Sequence, residues 1–285
     1  MDPLSRPYRS VLYIPGSKER ALEKARGLTV DAIIFDLEDA VAPEAKAEAR
    51  ALLKAELAAG GYGRRARIVR VNGLDTDWGA EDVAMMRDAA CDAILLPKVN
   101  AASDVVALAK MLPGAMPIWA MIETPLGILN AGEIAAHPRL QGFVAGTNDL
   151  AKELGCRARP DRLPMQMALQ TILMAARAHG VVAVDGVYNQ FKDTDGLHAE
   201  CMQGRDLGFD GKTLIHPAQV EIANEVFAPA EGEVALARRQ IAAFEEAVAQ
   251  GEGVAVVDGK IVENLHVETA RRTLARAEAI AELAD

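Results

Sequence analysis

Apolar and polar positions along the chain alternate between two regimes. Short β-branched or Leu-rich runs lie near residues 10–15, 31–37, 67–72, 93–99, 118–123, 142–147, 181–186 and 212–216. Between them lie Ala-, Glu-, Lys- and Arg-rich segments of helical period, such as SKERALEKARGL and APEAKAEARALLKAEL. Apolar runs of this length, each followed by a helix, read as parallel strands covered on both faces. Eight such units in about 225 residues predict a (β/α)8 barrel. A doubly wound sheet is the competing fold, but the PGSKERA turn after the first run lacks the GxGxxG fingerprint that usually follows its first strand. Beyond residue 230 the pattern changes. A polar amphipathic helix is expected over 231–250, a turn or hairpin at VVDGKIVENL and a second helix over 266–283, with the glycines of QGEGVAVVDG as a hinge. The expected organisation is a barrel over 1–230 and a lid or subunit-contact segment over 231–285.

The apolar runs keep ending in reactive residues. AIIFDLED closes on Asp36, Glu38 and Asp39, RIVRVN on Arg70 and Asn72, and AILLPKV on Lys98. IWAMIETP closes on Glu123 and Thr124, and FVAGTND on Asn148 and Asp149. Repeated on strand after strand, this places the charges on the C-terminal rim, where barrels of this fold carry their active sites. Glu123 and Asp149 end adjacent strands with no His or thiolate beside them, which suits a hard cation, Mg2+ more than Zn2+. Alone, either residue could equally cap the following helix. Glu38 and Asp39 are expected to hold metal-bound waters or to orient Arg70 and Lys98. Asp36, of opposite parity to its successor, is open between a structural and a functional role. Arg70 offers a rigid fork for a carboxylate or a developing enolate oxygen, or else a structural ion pair with one of the acids. Lys98 makes a weaker form of the same case. Lys18, Arg20 and Lys24 crowd the start of the first helix, against its dipole, so either a phosphate group docks there or they form a solvated face. His137 and His179 read as surface or packing residues, and His216, at the last strand end, reads as structural at least as readily as functional. No nucleophile elbow or His-paired Ser or Cys is present.

Composition narrows the setting. Of 285 residues, 51% are hydrophobic and only 4% aromatic, so a full core must be built from aliphatic side chains. A net charge of −10 argues against nucleic acid and anionic membranes as partners, so any acidic ligand needs locally concentrated basic groups. The three cysteines are far apart and lack CxxC spacing, as expected of a reducing compartment. With no apolar leader and no run of ~18 apolar residues, a soluble cytoplasmic protein is expected.

The segments RSVLYIPGSKERALEKA, DAIIFDLEDAV, RVNG, LLPKV, MIETPLGILN, GTNDLAKELG and GFDGKTLIHPAQV together resemble the CoA-ester lyase group of the citrate lyase β-subunit/HpcH-HpaI aldolase superfamily. Within it the chain looks most like the (3S)-malyl-CoA thioesterases, sisters of the malyl-CoA/β-methylmalyl-CoA lyases. The resemblance implies a (β/α)8 barrel with a C-terminal lid, assembled as a homotrimer or homohexamer. It implies magnesium carboxylates at Glu123 and Asp149, a thioester-polarising Arg70, and an acidic pair at Glu38 and Asp39. CoA phosphates are implied near Lys18, Arg20 and Lys24. The lyases carry an Asp in the C-terminal segment that a neighbouring subunit presents over the site, and the aligned residue here is Glu263, in GKIVENL. One extra methylene moves a carboxylate by about 1–1.5 Å, enough to disturb catalysis. Hydrolysis of (3S)-malyl-CoA is therefore expected ahead of carbon–carbon cleavage of malyl-CoA or a β-methylmalyl or citramalyl relative. Action on acyl-carrier-protein thioesters as a citrate lyase β subunit is a further alternative.

Overall fold

The structure, a computed structural model, describes residues 6–284; residues 1–5 and 285, the outer ends of the expected barrel and tail, lie outside it. Eight parallel strands, β1 (Ser10–Pro15), β2 (Ala32–Asp36), β3 (Ala66–Arg70), β4 (Ala93–Leu96), β5 (Ile118–Ile122), β6 (Leu140–Ala145), β7 (Val182–Asp185) and β8 (Gly211–Leu214), pair in sequence order. β8 pairs back onto β1, with Ser10 opposite Lys212, which closes the barrel and excludes the doubly wound alternative. Helices α1 (Glu19–Ala25), α2 (Lys46–Ala59), α3 (Gly79–Met86), α4 (Ala102–Met111), α5 (Pro125–Leu129), α6 (Ala131–Ala135), α7 (Thr147–Leu154), α8 (Gln166–His179), α9 (Thr194–Leu207) and α10 (Val220–Phe227) follow the strands. Among the described residues, none of the helices is long and apolar enough to cross a membrane.

The period of two along each strand sorts side chains between two cores. Val11, Ala32, Ile34, Ile68, Leu95, Trp119, Val144 and Val184 fill the barrel interior. Leu12, Ile33, Phe35, Val69, Ile94 and Phe143 face outward and pack with Leu22, Leu53, Val83, Leu108, Leu169 and Leu197 of the helices. Aromatic side chains are scarce, and two of them meet in the interior, near the start of β5. There Tyr8 lies with its ring centroid 5.1 Å from that of Trp119. Trp119 sits opposite Gly142, where a β-carbon would fall 2.4 Å from its ring. Glycine at 142 therefore makes room for the indole. Followed upward, the same interior parity reaches Tyr13, Asp36, Arg70, Met121 and Glu123 at the C-terminal mouth.

On the outer face, β7 and β8 are joined by buried charge. Lys212 Nζ lies 3.2 Å from Asp185 Oδ2 and 2.7 Å from Glu200 Oε1 of α9, and donates to the Gly186 carbonyl at 2.6 Å. Arg162 Nη1 donates to both oxygens of Asp185 at 2.7 and 2.8 Å. Both Lys212 and Asp185 are wholly inaccessible. Burial disfavours the Asp185 charge, but Lys212 and Arg162 outweigh it and hold its pKa below the ordinary value. The sequence gives little sign of this cluster, because GKTL reads as an ordinary short strand.

Residues 228–284 form a second compact unit with residues 6–7, separate from the unit of residues 8–227. In it, α11 (Glu231–Ala249) and α12 (Asn264–Ala284) flank the antiparallel hairpin β9 (Ala255–Val257) and β10 (Lys260–Val262). Its small core is Ala247, Ala255, Val262 and Val267. Asp258 and Gly259, at φ of +50° and +74°, make the tight turn that such a hairpin requires. The expected helix, hairpin and helix are all present.

Removing one partner from a buried ion pair leaves an uncompensated charge. Lys212→Met is expected to lower the stability of the chain by about 3–5 kcal/mol, read from urea unfolding. A loss below 1 kcal/mol would show that Arg162 alone suffices for Asp185.

Candidate active site

Asp36 and Arg70 end neighbouring strands and stand opposite each other in register, both pointing into the barrel. The Arg70 fork donates from Nε to Asp36 Oδ1 at 2.8 Å and from Nη2 to Oδ2 at 2.6 Å. Asp36 also accepts the Glu38 N–H at 2.9 Å and the Ala40 N–H at 3.1 Å, so one carboxylate shapes the loop after β2. Arg70 Nη1 lies 2.9 Å from Glu38 Oε2 and 3.4 Å from Asp39 Oδ2, and its guanidinium sits 5.0 Å over the Tyr13 ring. Asp36, left open on sequence grounds, is thus the residue that aims Arg70. Burial opposes the Arg70 charge, but the adjoining Asp36 outweighs it and raises the pKa well above the ordinary value.

Glu38 is also buried, and burial raises its pKa despite Arg70. Its Oε1 lies 3.5 Å from Lys98 Nζ, so both cations that it was expected to orient are within reach. The loop carrying Glu38 and Asp39 is held from below by Lys46, whose Nζ donates to the carbonyls of Leu37 and Glu38 at 2.9 and 2.7 Å. Asn72 adds a donor to the Leu37 carbonyl at 2.9 Å and is itself fixed by Asp82 at 2.6 Å. Neither contact is visible as a pattern in the sequence, because both are made to backbone carbonyls, 8 and 9 residues away for Lys46 and 35 for Asn72.

Glu123 stands one residue beyond β5 at 1% exposure. Its Oε1 accepts the Lys98 N–H at 2.7 Å. Gly146, at the end of β6, passes so close that a β-carbon there would meet Glu123 Oε2 at 2.6 Å. Asp149 follows in the first turn of α7 and lines the same cavity, of about 340 Å3, as Tyr13, Asp36, Arg70, Met121 and Glu123. Burial pushes the Glu123 carboxyl up to about 8, with Glu38 and Asp149 adding to the shift and the Lys98 amide opposing it. Neither Glu123 nor Asp149 has an ion-pair partner among the described residues. Among those residues no group of three or more His, Cys, Asp or Glu side chains is gathered as a metal cage. Two carboxylates sharing a cavity wall, one buried and short of positive charge, fit magnesium, which takes its other ligands from water and substrate.

The remaining candidates lie elsewhere. Lys18, Arg20 and Lys24 are exposed on and just before α1 and do not line the cavity, although Pro15, at the start of their loop, does. Glu263 belongs to the tail unit and is exposed just before α12, where its carbonyl accepts the amides of His266 and Val267. His216 Nδ1 accepts the Ala218 N–H at 3.1 Å and its ring stacks on Phe191 at 4.6 Å, a capping role. His137 accepts the Arg139 N–H at 3.2 Å, and His179 is exposed in the last turn of α8. Thr124 caps α5 through the Gly127 N–H at 3.0 Å, and Asn148 pairs with Asn189. Tyr13 and Met121 were overlooked as wall residues, although strand parity alone points to both.

A closed parallel barrel with an arginine and several carboxylates converging at its C-terminal mouth defines a barrel enzyme. The chain belongs to the HpcH/HpaI aldolase/citrate lyase family, which it matches over residues 9–217. It is 69% identical over 275 residues to the (3S)-malyl-CoA thioesterase of Cereibacter sphaeroides, covering 96% of each chain. It is 36% identical to citrate lyase subunit beta of Escherichia coli, covering 96% of this chain and 94% of that one. Its fold matches CitE from Mycobacterium tuberculosis in complex with magnesium, acetoacetate and coenzyme A, with a TM-score of 0.81 and 30% identity over 96% of this chain and 99% of that one.

A carboxyl at about 8 when folded and near 4.5 when free binds more protons in the folded state between those values. Its contribution to stability is complete below 4.5 and is lost as the pH rises through 8. In chelator, between pH 6 and 8.5, the parent is expected to lose roughly 2 kcal/mol more than Glu123→Gln. Denaturant unfolding at the two pH values checks this, and parallel losses would contradict it.

Proposed function

We propose that this chain hydrolyses (3S)-malyl-CoA to malate and CoA, with Mg2+ held by Glu123 and Asp149. The observation that carries the hydrolytic reading is the 69% identity to a (3S)-malyl-CoA thioesterase along 96% of both chains. The magnesium complexes of CitE, together with the under-compensated carboxylates in this barrel, support the cation. When bound, Mg2+ supplies Lewis-acid charge to the free carboxylate and hydroxyl of the malyl group.

Arg70 is held immobile by Asp36, so its remaining donor capacity is preorganised for the thioester oxygen, where negative charge grows during attack. A water oxygen bonds to the thioester carbon while its proton passes to a carboxylate. The C–S bond then breaks, and CoA departs as a thiolate that takes up a proton. Glu38, Asp39 and Glu263 are the candidate bases. Burial raises Glu38 toward the working pH. Glu263 acts if the tail of a neighbouring chain presents it over the mouth. In this reading the exposed Lys18, Arg20 and Lys24 receive the CoA phosphates. The same reading includes a homotrimer or homohexamer in the cytoplasm, where the free Cys91, Cys156 and Cys201 would stay reduced.

The likeness to citrate lyase subunit beta favours a second reading. There a base takes the hydroxyl proton of malyl-CoA, or of a related ester, and the carbon–carbon bond breaks. A 2-oxo acid is released, and the enolate charge of the acyl-CoA falls on Arg70. A chain acting only on acyl-carrier-protein thioesters would leave free malyl-CoA untouched.

Incubation with (3S)-malyl-CoA and Mg2+ is expected to give malate and free CoA, resolved by chromatography. Glyoxylate with acetyl-CoA would establish cleavage instead. Arg70→Lys, which keeps the charge but loses the fork, is expected to lower kcat roughly a hundredfold with a smaller effect on KM.

A further inference from the structure

Tyr13 stands on the interior face of β1 and lines the cavity beside Asp36, Arg70, Met121 and Glu123. Its hydroxyl donates to Met121 Sδ at 3.9 Å, and no oxygen among the described residues takes that hydrogen bond. A thioether is a weak acceptor. Arg70 Nη1 reaches the same sulfur at 3.7 Å. Two donors from different strands, one neutral and one charged, therefore converge on a single atom in the cavity wall.

Packing accounts for the Tyr13 ring but not for its hydroxyl. The Arg70 guanidinium sits 5.0 Å over the ring, and a phenylalanine would offer it the same face. Withdrawing a phenol O–H from water and leaving it only a thioether costs free energy that phenylalanine would avoid. Nor does Met121 hold its place firmly, because an unbranched side chain with three rotatable bonds turns aside easily. An oxygen in the place of the sulfur would meet both donors, and it would accept more strongly as negative charge grew on it. Convergent donors aimed at a point where charge develops are the arrangement of an oxyanion site.

We infer that the Tyr13 hydroxyl is a catalytic hydrogen-bond donor, which together with Arg70 Nη1 receives the thioester oxygen of the substrate where the Met121 sulfur now lies. This rests on the reading that the substrate is a malyl thioester polarised by Arg70. Met121 is then the acceptor that occupies the two donors until the ester arrives.

The test compares the parent with Tyr13→Phe, which keeps the ring beneath Arg70 and deletes one oxygen. On (3S)-malyl-CoA with Mg2+, kcat is expected to fall roughly a hundredfold, with KM within about threefold of the parent. Calorimetry then measures the binding of two inert analogues that lack the malyl hydroxyl. One carries a ketone in place of the thioester, and in the other the thioester carbonyl is reduced to a methylene. Tyr13→Phe is expected to weaken the ketone roughly fivefold and to leave the reduced analogue unchanged. Because both are measured on one variant, the comparison separates loss of the hydrogen bond from a general disturbance of the fold. Parental kcat in Tyr13→Phe, or the same change for both analogues, overturns the proposal. Release of glyoxylate and acetyl-CoA by the parent would overturn hydrolysis alone, because the enolate charge then falls on the same oxygen. A parent that neither turns over malyl-CoA nor binds either analogue overturns the substrate reading, and the role of Tyr13 with it.

Discussion

The bidentate pair between Asp36 and Arg70 is the contact on which the mouth of the barrel depends. It lies across a single β2–β3 register step, and it is buried. Buried ion pairs add little net stability, because desolvation offsets the attraction. Their better-attested use is to fix geometry, and here the geometry propagates. Asp36 folds the 37–40 loop through two backbone amides, and Arg70 reaches Glu38 in that loop. Glu38 reaches Lys98, the Lys98 amide holds Glu123, and Glu123 packs on Gly146, three residues before Asp149 in α7. One continuous line of polar contact therefore runs from β2 to the end of β5 across the cavity wall, and close packing carries it on to β6.

That line separates two kinds of charge. Around Arg70 three acids close on one cation at 2.6 to 3.4 Å, so the fork is rigid before any ligand arrives. Around Glu123 and Asp149 no ion pair is made among the described residues, and burial, with Glu38 and Asp149 adding to it, pushes the Glu123 carboxyl far above its ordinary range. A site that polarises a thioester benefits from the first arrangement, and a site that recruits a hard cation benefits from the second. The supports beneath, Lys46 and Asn72, spend their donors on loop carbonyls and leave the carboxylates of the mouth free for chemistry.

Much of this was legible in the order of residues. Eight apolar runs located all eight strands, and their reactive ends located the rim, because strand parity and the parallel direction of a barrel leave few other arrangements. The tail was legible too, since Asp258-Gly259 is a hairpin turn by composition. Asp36 was not resolved, because parity shows that it faces inward but not whether its partner is a solvent, a metal or an arginine. The Lys212–Asp185–Arg162–Glu200 cluster escaped notice because its members are scattered over four segments. Lys98 looked like a lesser Arg70. Its backbone, at a φ of +50°, turns its amide to Glu123, which no local pattern announces.

By itself, then, the sequence determined the barrel, the rim that carries the chemistry and the residue types gathered there. These follow from periodicity, which acts over a few residues at a time. Only the tertiary structure decided which acid clamps Arg70, that Glu123 is buried in the cavity wall, and that Lys98 turns its amide to one carboxylate and its ammonium to another. Those outcomes depend on register and closure, which bring residues 34 and 25 positions apart into hydrogen-bond contact at 2.8 and 2.7 Å. Periodicity, acting only over neighbouring residues, carries no such distances.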